Sequence, residues 1–521
     1  MKSDKNHRPN LQSPIYRIPT EVLSRIFYIL WNSHFAELSG PGQRVEEGKE
    51  YLQNLINITH VCHVWREVAL NTSLLWCYID VSPPFRSWIP ELLRRSKQSP
   101  LTVVINRSSH EHGLLEEVKE HFGRTRELVL DDPQDATLEE IFSSPSSTFQ
   151  DLEALDISDT SLVVDDSLLP FKTLRRLDLL RCSIDWNSNF LQGLTHLGLV
   201  NISEDCRPSC HEFTLILSKM PALETLYLLS FLPEDEGVQT GQVVNVHLQH
   251  LQELHLECDV PEMAQLLPYF VIPRSCKLHI HASTEENILC NNFRTILSWL
   301  SNHLSVPTTS SQPSNAIDHV QYIRSLHLSH DPGIPMFKVD GFCEFLSHEQ
   351  LKTTEPVLTF LVDWDWFNCE DDSFEHHWRT FLFLLPLRGV TFLDLYLDTD
   401  TVHLSPEFWK AASESMPAMK AVYLYGISDT FWKALSPVGR GGVGKKSLSF
   451  PALGSVTLRD EELDPQLILG QLRNRSRLGG TRLQDLCFSN AGSLPGLVPT
   501  TSIMSKLRKL VSYVHIEDDE D

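Results

Sequence analysis

The sequence predicts an α/β chain in two parts: a small N-terminal three-helix module, then an irregular solenoid of strand-and-return units. Three observations lead there. Two amphipathic helical stretches, 18–30 and 61–76, flank a shorter one. Downstream of residue 120 one aliphatic phrase returns ten times, each time closing on strand-like alternation. The chain has 521 residues, 41% of them apolar, which admits one small module and a long repeat array.

In the first helical stretch, Ile18, Val22, Leu23, Ile26, Phe27 and Leu30 fall at helical spacing on one stripe. Val61, Val64, Trp65, Val68 and Ala69 repeat that spacing, and Leu52, Leu55 and Ile56 supply a shorter helix between the two. Pro19, with its fixed φ and no amide hydrogen, suits a first helical turn. Glu21 then sits near the positive end of the helix dipole. Trp65 is expected to anchor the third helix. Residues 32–50 read as an inserted solvated loop, marked by Gly40-Pro41-Gly42 and Glu46-Glu47-Gly48. Three short helices cannot bury that much apolar surface among themselves, so the excess requires a partner.

Ile18-Pro19-Thr20-Glu21-Val22-Leu23, then Ile26-Phe27, then Val61-Cys62 and Trp65, resembles an F-box over roughly one tenth of the chain. That family's pattern is Leu-Pro, one residue, Glu, two aliphatics, Ile-Phe, and later Val-Cys, two residues, Trp. The resemblance implies an F-box at 15–76 that docks on the Skp adaptor of cullin-based ubiquitin ligases and carries no chemistry. The implied contact residues are Ile18, Pro19, Glu21, Val22, Leu23, Ile26, Phe27, Leu30, Val61, Cys62 and Trp65. The inserted loop is the one departure, and lengthening a loop costs little, about 0.6 kcal/mol per doubling.

The recurring phrase is an aliphatic residue, a second three later and a third two beyond it. It reads Leu152-Leu155-Ile157, Leu174-Leu177-Leu179, Leu194-Leu197-Leu199, Leu223-Leu226-Leu228 and Leu251-Leu254-Leu256. It continues as Ile323-Leu326-Leu328, Val390-Leu393-Leu395, Met419-Val422-Leu424, Leu453-Val456-Leu458 and Leu483-Leu486-Phe488. The spacing of about 20–34 residues, with wider gaps around 257–325 and 329–389, is similar to that of leucine-rich repeats. A single unit of that kind cannot bury its apolar face, and stacked neighbours share one core. Only LRRLDLLRC, Leu174 to Cys182, completes the repeat phrase with a Cys on the side-chain ladder. The expected layout is therefore an irregular leucine-rich-repeat-like array over 121–515, joined to the helical module by 77–120. Glu212–Lys219 and Pro406–Glu414 read as return helices, and Asn292–Leu300 and Phe374–Leu385 as longer helical insertions. Residues 1–14 are expected to be disordered, 305–315 a polar Pro/Ser-rich loop, and 516–521 a solvated acidic tail.

Composition narrows the function. A net charge of −24 argues against nucleic acid or an anionic membrane as partner. No run approaches eighteen apolar residues, and the polar start MKSDKNHRPNLQSP has no signal core. Eleven scattered Cys without a CxxC pair fit a reducing compartment, so a cytoplasmic or nuclear location is expected.

Candidates for chemistry are weak. Gly439 to Lys446 approaches a phosphate-binding loop, but Lys446 stands where a Ser or Thr must hold Mg²⁺. Cys206, Cys210 and His211 lack zinc spacing, and His110/His112 and His376/His377 are isolated pairs. No cofactor, metal or catalytic residue is therefore expected. Trp364, Trp366 and Phe367, among carboxylates, suit either a binding hot spot for a basic peptide or one face of a strand in the core. The expected function is a non-catalytic substrate-recognition adapter that binds the Skp adaptor at one end and a protein substrate along the array. The alternatives are a Skp-binding or free scaffold without a ligase and, more remotely, a nucleotide-binding enzyme using Gly439 to Lys446.

Overall fold

Aliphatic residues two apart bury one face of a strand, and every member of the ten phrases is buried. The computed structural model describes residues 17–36, 48–111, 114–143, 149–160, 163–164, 166, 173–231, 245–284, 291–305, 323–331, 336–364, 372–397, 404–425, 429–435, 448–459, 465–489 and 501–517. They form a mixed α/β structure whose sheets are mostly parallel, in two compact units that divide after Leu248.

The first unit begins with helices α1 (Thr20–Ala36), α2 (Gly48–Val61) and α3 (His63–Asn71). Seven strands of its main sheet follow: β1 (Tyr78–Asp80), β2 (Leu101–Asn106), β3 (Thr125–Asp131), β4 (Ala154–Ser158), β5 (Arg176–Leu180), β6 (His196–Val200) and β7 (Thr225–Leu229). Each is parallel to the next in chain order. Connections carry α4 (Ile89–Ser96), α5 (Arg107–Glu111), α6 (Leu115–Lys119), α7 (Asp135–Ser143) and α8 (Cys210–Ser218). The register aligns the phrases, pairing Leu155 with Leu177, Leu177 with Leu197 and Leu197 with Leu226.

The backbone at both ends of these strands also repeats. Before each of β5, β6 and β7 an amide donates to a carbonyl one unit back: Arg175 to Glu153 at 2.8 Å, Thr195 to Arg175 at 2.7 Å and Glu224 to Thr195 at 2.7 Å. After each of β3 to β7 the next residue takes a left-handed φ, 45° at Asp132, 55° at Asp159, 52° at Arg181, 50° at Asn201 and 46° at Ser230. The amides of the first four donate to the last residue of the following strand, at 2.9–3.1 Å. Asp and Asn tolerate that region best, so the polar residue after each strand is where the chain turns. Cys182 is buried, its Sγ 3.3 Å from the Ile157 carbonyl one unit back.

In the second unit the strands of the main sheet are β8 (Glu253–Asp259), β9 (Lys277–Thr284), β10 (Ser325–Asp331), β11 (Met336–Phe342), β12 (Leu358–Trp364), β13 (Phe392–Tyr396), β14 (Ala421–Tyr425), β15 (Ser455–Arg459), β16 (Asp485–Ser489) and β17 (Tyr513–Glu517). Their spatial order departs from chain order once. β9 pairs in parallel with β12, β12 and β10 flank β11 antiparallel, and β10 then pairs in parallel with β13. From β13 to β17 each strand is parallel to the next. The pre-strand amide pattern resumes there, Lys420 to Thr391 at 2.8 Å, Gly454 to Lys420 at 2.7 Å and Gln484 to Gly454 at 2.7 Å.

Helices α9 (Val260–Leu266), α10 (Asn291–Leu304), α11 (His348–Leu351), α12 (Asp372–Leu384), α13 (Pro406–Ser415), α14 (Asp429–Ala434), α15 (Pro465–Arg477) and α16 (Thr501–Leu507) complete this unit. Trp378 of α12 packs on Phe337 of β11, ring centres 4.3 Å apart, and Phe381 on Phe360 of β12 at 5.8 Å. Trp378, Trp409 and Trp432 are fully buried along this helical layer. A buried side chain of that size contributes more than the about 1.5–3 kcal/mol of a Leu or Phe.

Two expectations are corrected. The segment 77–120 does not merely connect, because β1 and β2 already belong to the sheet. Residues Asn32 to Ala36 are helical, as are Gly48 to Glu50, so both ends of the loop read at 32–50 belong to helices, and the rest of that reading, 37–47, lies outside the described residues. The wider intervals between phrases, 257–325 and 329–389, hold β9 in the first and β11 and β12 in the second. The return helices read at 212–219 and 406–414 correspond to α8 and α13, and the longer ones to α10 and α12.

Candidate functional site

α1 has apolar residues on two faces, and packing separates them. Leu23 and Phe27 point inward, at 2% and 1% exposure, and Phe27 meets the Trp65 ring edge-on at 4.9 Å. Val22, Ile26, Ile29 and Leu30 remain exposed, Leu30 at 64%. Val61, the last residue of α2, is exposed too. Four apolar residues at offsets of 4, 7 and 8 from Val22 make a continuous helical stripe, an exposed patch of the kind that marks a docking surface.

Hydrogen bonds and ring contacts tie the helices that carry this surface to the surrounding chain. The Pro19 carbonyl accepts the Leu23 amide at 3.0 Å, so Pro19 precedes the first turn by one residue and Glu21 lies in it. Cys62 caps α3, its Sγ accepting the Trp65 amide at 3.5 Å. Thr72, at the end of α3, donates from Oγ1 to Ser24 Oγ of α1 at 3.0 Å. The Tyr51 hydroxyl donates to the Leu75 carbonyl at 3.0 Å and accepts the Tyr78 amide at 3.3 Å, tying α2 to β1. Trp76 Nε1 donates to the Ala69 carbonyl at 2.8 Å, and Arg95 lies over the Trp76 ring at 4.5 Å.

The structure thus divides the eleven residues singled out in the sequence. Val22, Ile26, Leu30 and Val61 are apolar and exposed, and Pro19 and Glu21 are exposed beside them. Ile18, Cys62 and Trp65 are half-buried, while Leu23 and Phe27 belong to the module's own core. Sequence reasoning missed Ile29 and Tyr51. Ile29 stands seven residues after Val22, and Tyr51 four before Leu55, so helical spacing was the signal for both.

Trp364 ends β12, while Trp366, Phe367 and the Gly439 to Lys446 run lie outside the described residues. Cys206 Sγ lies 3.3 Å from Ser183 Oγ, and Cys210 is buried at the start of α8. Among the described residues, no group of three or more His, Cys, Asp or Glu is placed to hold a metal ion. No helix among them is long and apolar enough to cross a membrane. Compared with known proteins, the chain matches no family model and no curated protein.

Proposed function

We propose that this protein is a non-catalytic adapter of a cullin-based ubiquitin ligase. It would bind a Skp-type adaptor through an F-box formed by α1–α3 and a protein substrate through a leucine-rich-repeat-like array. The observation that carries the reading is the exposed stripe Val22, Ile26, Ile29 and Leu30, with Val61 nearby, on helices whose inner face is already filled. That surface gains stability only by being covered, and the resemblance over 18–65 names the partner that would cover it. The repeated phrases, their aligned register and the recurring turn geometry support the array. Proximity is then the protein's whole contribution to catalysis, by raising the effective concentration of substrate near the charged enzyme.

The test is capture of recombinant Skp adaptor by the full chain and by a Leu30→Asp variant, with cullin retention as the second readout. Capture by wild type alone supports an F-box, and cullin retention separates a ligase adapter from a scaffold. No capture by folded wild-type protein refutes the reading.

A further inference from the structure

The second unit ends on a reversal of charge. Residues 465–517 carry seven Lys or Arg against two Asp or Glu, whereas the whole chain carries 44 against 68. Arg475 is buried, and the other six, Arg473, Arg477, Arg482, Lys506, Arg508 and Lys509, are exposed.

The fold gathers these six cations. Arg475 of α15 faces inward, donating to the carbonyls of Phe450 at 2.7 Å and Thr481 at 3.2 Å. Arg473 and Arg477, two residues to either side of it, therefore lie on the outer face, one helical turn apart. α15 closes at Gly479, whose φ is 75°, and the chain enters β16 through Arg482. Arg482 Nε donates to the Leu510 carbonyl at 3.2 Å, and its Nη2 to the Lys509 carbonyl at 3.4 Å. That clamp holds the turn from α16 into β17, which carries Arg508 and Lys509, against the segment after α15. α16, with Lys506 in its last turn, packs beside α15.

Elsewhere the chain neutralises its cations, as in Arg107 with Asp132, Arg181 with Asp159 and Lys277 with Glu355. Among the described residues none of the six has such an acid partner. Asp485, the acid within β16, lies 3.2 Å from His515 instead. The helix dipole favours a cation in a last turn, which accounts for Arg477 and Lys506. Arg482 has no such reason. Like charges gathered without an acid repel one another, and an anion that covers them removes that repulsion.

We propose that this patch docks a short acidic segment of a partner protein, an extended run of Asp and Glu. Neighbours one helical turn apart, such as Arg473 and Arg477, are about 6 Å apart, close to the about 6.6 Å between alternate residues of an extended chain. Alternate carboxylates thus meet successive guanidinium groups, each able to hold one with two parallel hydrogen bonds. Leu478, 39% exposed beside Arg477, offers a contact to an apolar residue at the end of the run. Charge complementarity also sets the length of the partner. Screening confines the attraction to about 8–10 Å, and the rest of the chain is acidic. A short peptide lies within that reach, whereas a nucleic acid or a membrane extends past it and meets the acidic remainder. The patch stands independently of the docking stripe on α1; under the adapter reading, the acidic segment belongs to the substrate.

The probe is BODIPY-labelled Gly-Glu-Asp-Glu-Asp-Glu-Leu amide, read by fluorescence anisotropy on the full chain, with the Gln/Asn peptide of the same length as comparator. The acidic peptide is expected to bind at least about tenfold more tightly than the comparator, and to weaken at least about tenfold between about 50 and about 300 mM NaCl. The double variants Arg473→Gln/Arg477→Gln and Arg508→Gln/Lys509→Gln should each weaken it about tenfold. All four side chains are exposed, so both variants keep the fold, which circular dichroism checks. Lys352→Gln, an exposed cation on α11, should leave binding unchanged. Equal binding of the two peptides, or wild-type affinity in either double variant, overturns the proposal. So does tighter binding of oligothymidylate or of phosphatidylserine vesicles than of the peptide, lost in the same variants, which assigns the patch to nucleic acid or membrane. Self-association of the wild type that both variants abolish overturns it in favour of a second copy of the chain. The Leu30→Asp variant should bind the peptide unchanged, so failure here and failure of adaptor capture are distinguishable.

Discussion

The two faces of α1 should respond oppositely to substitution. Phe27 is 1% exposed and packs against Trp65 at 4.9 Å, so Phe27→Ala removes a buried ring and leaves a cavity. The expected cost is about 3–5 kcal/mol, enough to unfold the helical module. Leu30 lies one turn further along the same helix and is 64% exposed. Leu30→Asp loses only helix propensity and surface contacts, about 0.5–1 kcal/mol. Covering Leu30 in an interface contributes about 1.5–3 kcal/mol, and a carboxylate in its place adds desolvation, so adaptor affinity should fall by about a hundredfold or more. Urea denaturation followed by circular dichroism, with adaptor titration by calorimetry on the same preparations, measures both. The reasoning fails if Leu30→Asp destabilises the protein as much as Phe27→Ala, or if it stays folded and binds adaptor with wild-type affinity.

Three further predictions follow from the described structure. Arg475 is 2% exposed and donates to the carbonyls of Ser449 at 2.9 Å, Phe450 at 2.7 Å and Thr481 at 3.2 Å. Arg475→Ala should therefore cost about 3–5 kcal/mol in urea denaturation, with Lys a poor substitute because it lacks the planar fork. Burial, with the nearby charge of Arg274, lowers the His303 pKa from the ordinary 6.5 to about 4. Between those values the unfolded chain binds the extra proton, so stability is lost as pH falls from 6.5 towards 4. The loss is roughly 3 kcal/mol at the limit, and His303→Gln should flatten that part of the stability–pH curve. Asn201 turns the chain after β6 with φ of 50°, so Asn201→Val should cost about 1–2 kcal/mol in thermal denaturation while Asn201→Gly is tolerated.

Repetition made much of the sheet legible. Where the phrase occurs, a parallel strand occurs, because two aliphatics two apart and a third just before them bury one face and the turn leading to it. The strands that were missed lack that phrase for identifiable reasons. β9 alternates Leu278, Ile280 and Ala282, but Ser275 stands where the leading aliphatic would be. β11 runs antiparallel, so its Phe337 and Val339 have no approach turn of the repeating kind. β2 is a near-continuous apolar run, LTVVIN, with both faces largely covered, which periodicity alone does not distinguish from a helix segment.

The sequence by itself determined the helical periodicity near the N-terminus, the ten strand phrases and the excess of acid over base, since these depend on residue order alone. It did not decide which apolar residues of α1 face inward, because Leu23 and Phe27 share helical spacing with Val22, Ile26 and Leu30. Packing against Trp65 made that choice. Nor did it join His327, His348 and Asp394, which lie 67 and 46 residues apart and meet only through strand pairing and the fold of α11 over the sheet. Hydrogen bonds over such separations are set by tertiary register, and no local pattern encodes them.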